Sequence, residues 1–459
     1  NVLLPVLDRH NKNLEELAQH SSKLQLFYYY FNNKEEQINL NNQTFYNTNE
    51  VIQNTCLSFF TQTPVCLQHC LEGIMTMFGI NENQQIVVDA ANPIRAAYEN
   101  KFLDMAKNFD WIQTMQSQQF QLGIAELYDP IAFYIFRLIG IPHIIATSCL
   151  PLQSIYYHYL GYLDKIIEKG DIPELCSTTC NRGFYYNLEA NYCTHDSKFE
   201  QIFQHYNKTP EKFENIFKEK TQLIFVNQQT FTDFVMPEDY PENVVNIGGI
   251  VISDHVQGLT PKEKEALENA KNKKFGLIYL SFGTLIDISS DDMNEKGIYN
   301  ILNKFYLLSD SFEVLMRSGW TKYMRLLKRE FNGLKNVHAK SWMNQQAILA
   351  HKSTKIFISH CGINSVLESI KYGVPLICVP FFGDQFYNSE ALAKRGVAIV
   401  LDKNNDFVDL DEKIETIAND NSYFEKMKEL QAEFMQINPK NTFLEKMEEL
   451  VWNIENGTN

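Results

Sequence analysis

Short apolar runs alternate with amphipathic stretches along most of the 459-residue chain. Residues 1–7 and 24–31 are apolar and read as strands. Between them Leu14, Leu17 and Ala18 fall at i, i+3 and i+4, one face of a short helix. Asn13 can cap it, with Glu15 and Glu16 in the first turn, where the helix dipole favours acids. Residues 50–120 carry apolar positions at helical spacing and predict several helices, with a candidate strand at 86–89. Residue 120 begins another strand, acids follow at its turn, 131–139 has helical spacing, and 141–147 is the next strand. Residues 223–227 supply the last strand of the first half. The second half repeats the alternation, with strands at 275–281, 312–317, 355–359, 374–380 and 398–401, then amphipathic helices at 422–436 and 441–455. Alternation in both halves predicts an α/β protein built on parallel sheets.

The densest pattern is residues 342–385. A strand at 355–359 runs into a glycine-containing turn at 360–365, then a helix over 366–372 that Gly373 stops, then the strand at 374–380. A helix that begins just past a strand offers unpaired N–H groups and a positive dipole end, which suits a phosphate. His360 ends the strand, and Asn364 and Ser365 sit where side chains and amides can reach a diphosphate. Glu368 follows Ser365 by three residues, and a carboxylate can accept from two ribose hydroxyls. Trp342 offers a flat indole for a base to stack on and Gln345 an amide for its edge. Asp384 and Gln385 follow the second strand at its carboxyl end, where open α/β sheets bind ligands.

Taken singly, these residues are ordinary: a tryptophan is usually core, and a histidine at a strand end is usually structural. Their joint spacing is not. It resembles the donor signature of the family 1 UDP-glycosyltransferases, which include the animal UDP-glucuronosyltransferases. The signature W-x2-Q-x14-H-x-G-x-N-S-x2-E-x15-D-Q is matched without a gap from Trp342 to Gln385, at nine residue identities. The resemblance implies uracil on Trp342 and Gln345, diphosphate at His360, Gly362, Asn364 and Ser365, ribose on Glu368, and sugar hydroxyls on Asp384 and Gln385. Cys361 stands where animal members usually carry Gly. Ser281, Gly283 and Thr284 match the family's S-F-G-[ST] turn, a backbone cradle for phosphate, and Arg317 stands where the family often has a basic residue.

The first half extends the resemblance. His10, in the loop after the first strand, matches the family's catalytic base, with Arg9 before it where Gly or Ser is usual. Glu126 stands where the family places the acid that orients this base, and Asp129 is the alternative; a strand-end carboxylate that caps the next helix reads equally well from the residues alone. Residues 151–220 are rich in Tyr, Phe and Cys, which fits a lipophilic acceptor pocket or a packed core.

The resemblance implies a GT-B fold, two Rossmann-like domains facing across a cleft. It divides the chain into an acceptor-binding domain at 1–245, a UDP-sugar-binding domain at 246–435, and a C-terminal helix at 436–459 packing back across both. It implies transfer of glucose or glucuronic acid from a UDP-sugar to a small lipophilic acceptor with inversion. The UDP-sugar is a co-substrate, and no cofactor or metal is called for. A silent UDP-sugar-binding protein and a UDP-sugar epimerase are the alternatives.

Composition narrows the picture further. The length predicts two domains or more. A net charge of −15 argues against nucleic acid as partner. No run of about 20 apolar residues occurs, the length a membrane-spanning helix needs. The chain opens at Asn1 without a charged-then-apolar leader, which leaves a removed signal peptide or a fragment open. Family members of this kind work in detoxification at the endoplasmic reticulum, held by a C-terminal membrane segment that follows the region matched here. Of nine cysteines, Cys176, Cys180 and Cys193 cluster without a second matched pair, which disfavours zinc and leaves a local disulfide and free thiols both open. Asn42, Asn207 and Asn456 head glycosylation triplets, the second followed by Pro210.

Overall fold

The computed structural model describes residues 103, 106–127, 131–168, 196–234, 240–252, 256, 258–283, 295–317, 334–381 and 383–457, together with the strand backbones at 2–6, 26–30 and 46–47. The helices expected before residue 100 and the strand expected at 86–89 lie outside the described residues.

The first half forms a seven-stranded sheet from β1 (Val2–Val6), β2 (Leu26–Tyr30), β3 (Tyr46–Asn47), β4 (Leu122–Glu126), β5 (His143–Ser148), β6 (Thr221–Val226) and β7 (Val244–Asn246). Its spatial order is β3-β2-β1-β4-β5-β6-β7, and its paired strands run parallel. Helices α1 (Phe109–Ser117), α2 (Ile131–Ile139), α3 (Ser154–Tyr159), α4 (Leu163–Glu168) and α5 (Phe213–Lys220) belong to the same half. Asn108 caps α1 by accepting from Trp111 N at 3.0 Å, which satisfies one of the orphan amides of a helix start. Eight of the nine residues of α2 are buried; Arg137, the least buried, pairs with Glu211. Tyr156, Tyr159, Phe199, Phe203, Phe213 and Phe217 go into the core beside α2, so the described aromatics of residues 151–220 are largely packing residues.

The second half forms a six-stranded parallel sheet, with α6 (Pro261–Asn269), β8 (Gly276–Ser281), α7 (Glu295–Leu307), β9 (Phe312–Arg317), β10 (Val337–Lys340), α8 (Gln345–Leu349), β11 (Thr354–Ser359), α9 (Ile363–Tyr372), β12 (Leu376–Cys378), α10 (Asp384–Lys394) and β13 (Ala398–Val400). Its order is β10-β9-β8-β11-β12-β13. Every residue of β8 is buried because both faces of the sheet are covered, the usual cause of unbroken apolar runs in parallel strands. Ile278 and Leu280 pack with Ile301 and Phe305 of α7 and with Leu410 and Ile414 of α11 (Leu410–Asn419). Leu277 and Tyr279 pack on the other face with α6, with Leu367 and Ile370 of α9, and with Met427 of α12 (Ser422–Phe434). Each such side chain contributes about 1.5–3 kcal/mol by leaving water.

The last helix, α13 (Pro439–Asn456), leaves the second half and lies on the first sheet. Phe443, Met447 and Leu450 pack with Leu122, Ile145 and Phe225, and the rings of Phe225 and Phe443 are 4.6 Å apart. Two seven- and six-stranded parallel sheets, each flanked by helices, make the two Rossmann-like units of a GT-B arrangement.

Some boundaries differ from the sequence expectations, and proline explains two of the differences. The strand expected at 141–147 is His143–Ser148, because Pro142 has no N–H to give. The strand expected at 374–380 shrinks to Leu376–Cys378, between Pro375 and Pro380. The helix expected over 366–372 starts at Ile363, with Gly362 in the extended conformation as its N-cap.

Candidate functional site

Each sheet reverses its strand order once, between β1 and β4 in the first and between β8 and β11 in the second. Open parallel sheets bind ligands outside the carboxyl ends of strands at such a switch point. In the second sheet Ser281 and Ser359, the last residues of β8 and β11, are paired in register. The two turns that follow therefore lie side by side: 282–283 after β8 and 360–362 after β11, the latter leading into α9.

Two glycines make room between these turns for one ring. A Cβ on Gly283 would stand 2.7 Å from His360 Nε2, and one on Gly362 would stand 2.8 Å from the same atom. Gly283 also holds a φ of +78°, which a side chain disfavours. His360 Nδ1 is sealed from solvent and takes no hydrogen bond among the described residues. Burial, with the charge of Arg317 acting the same way, pushes the imidazole down to about 4, so it is neutral near pH 7. A neutral imidazole still carries one N–H donor. With the amides of the first turn of α9 beyond Ile363 it makes a place for an anion. Ser281 Oγ accepts from Gly283 N at 3.5 Å and steadies the first turn.

The second turn is held from below. Cys361, at a φ of +60°, forms a buried disulfide with Cys378 at the end of β12, with Cα atoms 5.5 Å apart. Ser359 Oγ accepts from Cys361 N at 3.1 Å. Asp384 Oδ2 accepts from Ile363 N at 3.4 Å and from Asn388 Nδ2 at 2.8 Å, so this carboxyl caps α9 from the start of α10. Its burial raises it to about 6. Gln385 Oε1 accepts from Phe381 N at 2.8 Å. Both side chains are thus buried and engaged by protein groups here.

Along α9 a second group forms. Gln345 Nε2 donates to Ser365 Oγ at 3.1 Å and to Glu368 Oε2 at 2.6 Å, and Gln346 Nε2 donates to Glu368 Oε1 at 3.0 Å. Burial raises Glu368, and the two glutamine bonds oppose that rise. Trp342 remains 69% exposed, with the Arg317 guanidinium 4.8 Å from its ring centre, so an apolar face is open to stacking. Arg317 Nε also donates to Ser341 O at 3.4 Å. Asn364, exposed in the first turn of α9, accepts at Oδ1 from Asn227 Nδ2 at 2.9 Å.

The structure thus brings Ser281, Gly283, Arg317, Trp342, Gln345, His360, Gly362, Asn364, Ser365, Glu368, Asp384 and Gln385 to one end of the second sheet. Thr284, His10 and Asp129 lie outside the described residues, and Glu126 is described only as the last backbone position of β4. That position lies at the other switch point. Val2 pairs with Leu122 and Leu3 with Gly123, and the same register carried onward sets Val6 level with Glu126. Among the described residues no group of three or more His, Cys, Asp or Glu could hold a metal. No helix among them is long and apolar enough to cross a membrane.

Sequence reasoning missed two features. Cys361 read only as a departure from the family's usual glycine, yet Cys378 in the neighbouring strand of the same strand–helix–strand unit was the signal for a pair. Asn227 read only as a strand end, and nothing local announces that it reaches residue 364.

Comparison with known proteins agrees with the geometry. A family model described as "UDP-glucoronosyl and UDP-glucosyl transferase" matches residues 67–436. A Caenorhabditis briggsae protein named as a UDP-glucuronosyltransferase is 28% identical over 325 residues, 67% of this chain and 57% of its own length. UDP-glucosyltransferase 2 of Dactylopius coccus is 31% identical over 229 residues, 50% of this chain and 41% of its own length. The matches with these curated relatives thus take in 57% and 41% of their lengths. Among solved structures, a UDP-glucose:anthocyanidin 3-O-glucosyltransferase in complex with UDP aligns over 99% of this chain and 98% of its own, with a TM-score of 0.60 and 16% identity. The glycosyltransferase of kitacinnamycin aligns over 98% of this chain and 97% of its own, with a TM-score of 0.57 and 15% identity. At such identities the structural likeness speaks for the fold.

Proposed function

Since this chain belongs to the UDP-glucuronosyl and UDP-glucosyl transferase family, we propose that it transfers glucose or glucuronic acid from a UDP-sugar to a small lipophilic acceptor, with inversion. The observation that carries the reading is the gathering of Trp342, Gln345, His360, Asn364, Ser365 and Glu368 at the carboxyl end of the second sheet, with an anion place at the start of α9. On this reading uracil stacks on Trp342, ribose meets Glu368, and the diphosphate lies between the Ser281–Gly283 turn and the start of α9. Asp384 and Gln385 face the sugar once its hydroxyls replace some of their present partners.

The reaction is a single displacement. His10 takes the acceptor hydroxyl proton as that oxygen bonds to the anomeric carbon. The bond to the diphosphate oxygen breaks, and UDP leaves with the electron pair. Its growing charge is met by donors already in place at His360 and α9. Glu126, or Asp129 three residues on, orients His10. The UDP-sugar is consumed as a co-substrate, and the reading calls for no cofactor or metal.

The work we infer is detoxification in the lumen of the endoplasmic reticulum. The buried Cys361–Cys378 disulfide supports an oxidising compartment, since cytosolic thiols are kept reduced. The test is turnover of UDP-glucose and UDP-glucuronic acid with a panel of phenols and lipophilic alcohols. Transfer is expected, and His10→Ala should slow it by about 10²–10⁴ while leaving UDP affinity unchanged. UDP binding without transfer to any acceptor would select a silent binding protein, and conversion of the sugar nucleotide without acceptor would select an epimerase.

A further inference from the structure

We propose that Asn227, contributed by the first half, is a positioning residue for the donor site in the second half, and that it acts by orienting the side chain of Asn364. This rests on the UDP-sugar reading above. Asn227 follows β6 directly, and its Nδ2 donates to Asn364 Oδ1, on α9 of the second half, at 2.9 Å. An amide whose oxygen is committed keeps its NH2 edge for another partner. Asn364 Nδ2 makes no hydrogen bond to the described residues, and the side chain stands exposed in the first turn of α9. With Asn227 as the donor, Asn364 is held with its NH2 edge rather than its carbonyl oxygen free to meet an anion. The reverse orientation would present a carbonyl oxygen to the diphosphate and repel it.

Asn227 is itself held firmly, as a positioning residue must be. Its N–H donates to Ser148 O at 2.8 Å, at the end of β5. The next residue, Gln228, is fully buried, donates through Nε2 to Thr232 O at 2.8 Å, and accepts at its carbonyl from Gly248 N at 3.0 Å. Gly248 presses so close that a Cβ there would lie 2.7 Å from the Gln228 backbone. Gln229 Nε2 donates to Gly248 O at 2.8 Å. The backbone on both sides of Asn227 is thus fixed before the side chain reaches out. Asn227 Oδ1 is sealed from solvent and takes no hydrogen bond among the described residues, so the bond to Asn364 is the one that its carboxamide makes there.

A few residues further on, the same segment is fastened to α10 independently. Tyr387 and Tyr240 both donate to the buried carboxylate of Asp233, and Arg395 donates to Thr230 O at 3.0 Å. These bonds set the spacing of the two halves without touching Asn364, which supplies the control.

The experiment is calorimetric titration of UDP into the full chain and into N227A, N227D, N364A, N227A/N364A and Y387F, with melting temperatures recorded alongside. N227A should weaken UDP about fivefold, in keeping with the loss of one ordinary hydrogen bond. N227D should weaken it further, because a carboxylate can only accept and so turns Asn364 the wrong way. In the N364A background the N227A change should have no further effect, since its target is gone. Y387F should lower the melting temperature and leave UDP affinity as in the parent. An N227A affinity equal to the parent's, or a fivefold loss that persists in the N364A background, would overturn the proposal while the donor reading stood. A parent chain that does not bind UDP would overturn the donor reading itself.

Discussion

At the scale of single residues, the end of the second sheet holds two groups, Asp384 and His360, whose proton equilibria shift in opposite directions. Burial holds the Asp384 carboxyl at about 6 against an ordinary 3.8, so between those values the folded protein keeps a proton the unfolded chain has lost. Its contribution to stability therefore falls as pH rises through that window and is level above it. His360 is held down to about 4 against 6.5, so in its window the unfolded chain carries the extra proton, and its contribution rises with pH. The two slopes nearly cancel in the parent. D384N removes the falling one. Its stability relative to the parent should rise by about 2 kcal/mol between pH 4.5 and 6.5, read from urea unfolding at the two pH values. A constant difference would show that Asp384 is not held protonated. What was legible in the sequence at this scale is a pattern: Trp342, Gln345, His360, Gly362, Asn364, Ser365 and Glu368 fall within 27 positions of one another, and one strand–turn–helix unit holds most of them. What each bonds to was not legible. Asp384 capping Ile363 and Gln345 joining Glu368 depend on how α8, α9 and α10 pack, which no spacing in the chain states.

At the scale of elements, α9 is pinned at both ends. Asp384 and the Cys361–Cys378 disulfide hold its start, and Gly373 at a φ of +70° ends it in the left-handed conformation. The disulfide closes a sequence separation of 17, for which the chain-entropy account gives about 3 kcal/mol. C361G/C378S should therefore lose about that much in denaturant unfolding, and a reductant should move the parent toward the variant and leave the variant unmoved. Equal stability of the two chains would contradict the disulfide. Elements were mostly legible: β8, β9 and β11 appeared as apolar runs because both faces of their sheet are covered. Their ends were less so, because Pro142, Pro375 and Pro380 cut the hydrogen-bond ladder inside runs that remain apolar.

For the whole molecule, the last helix, α13, packs on the sheet of the first half. Its buried face meets the first sheet, while α12, joined to it by a short connection, packs on the second. The chain thus closes on itself, and Phe443 against Phe225 is the centre of that closure. F443A should destabilise by about 3 kcal/mol, the lower end for deleting a buried phenylalanine, and thermal unfolding of the full chain would show it. No loss would mean that the helix is not docked there. The central claim remains that the second half presents a cradle for UDP. Its most direct test is calorimetric titration of UDP into the full chain and into W342A. The account predicts binding by the parent and a loss of about 1–3 kcal/mol in the variant, the value of stacking a base on an aromatic ring. No binding by the parent, or the same affinity in W342A, would contradict it.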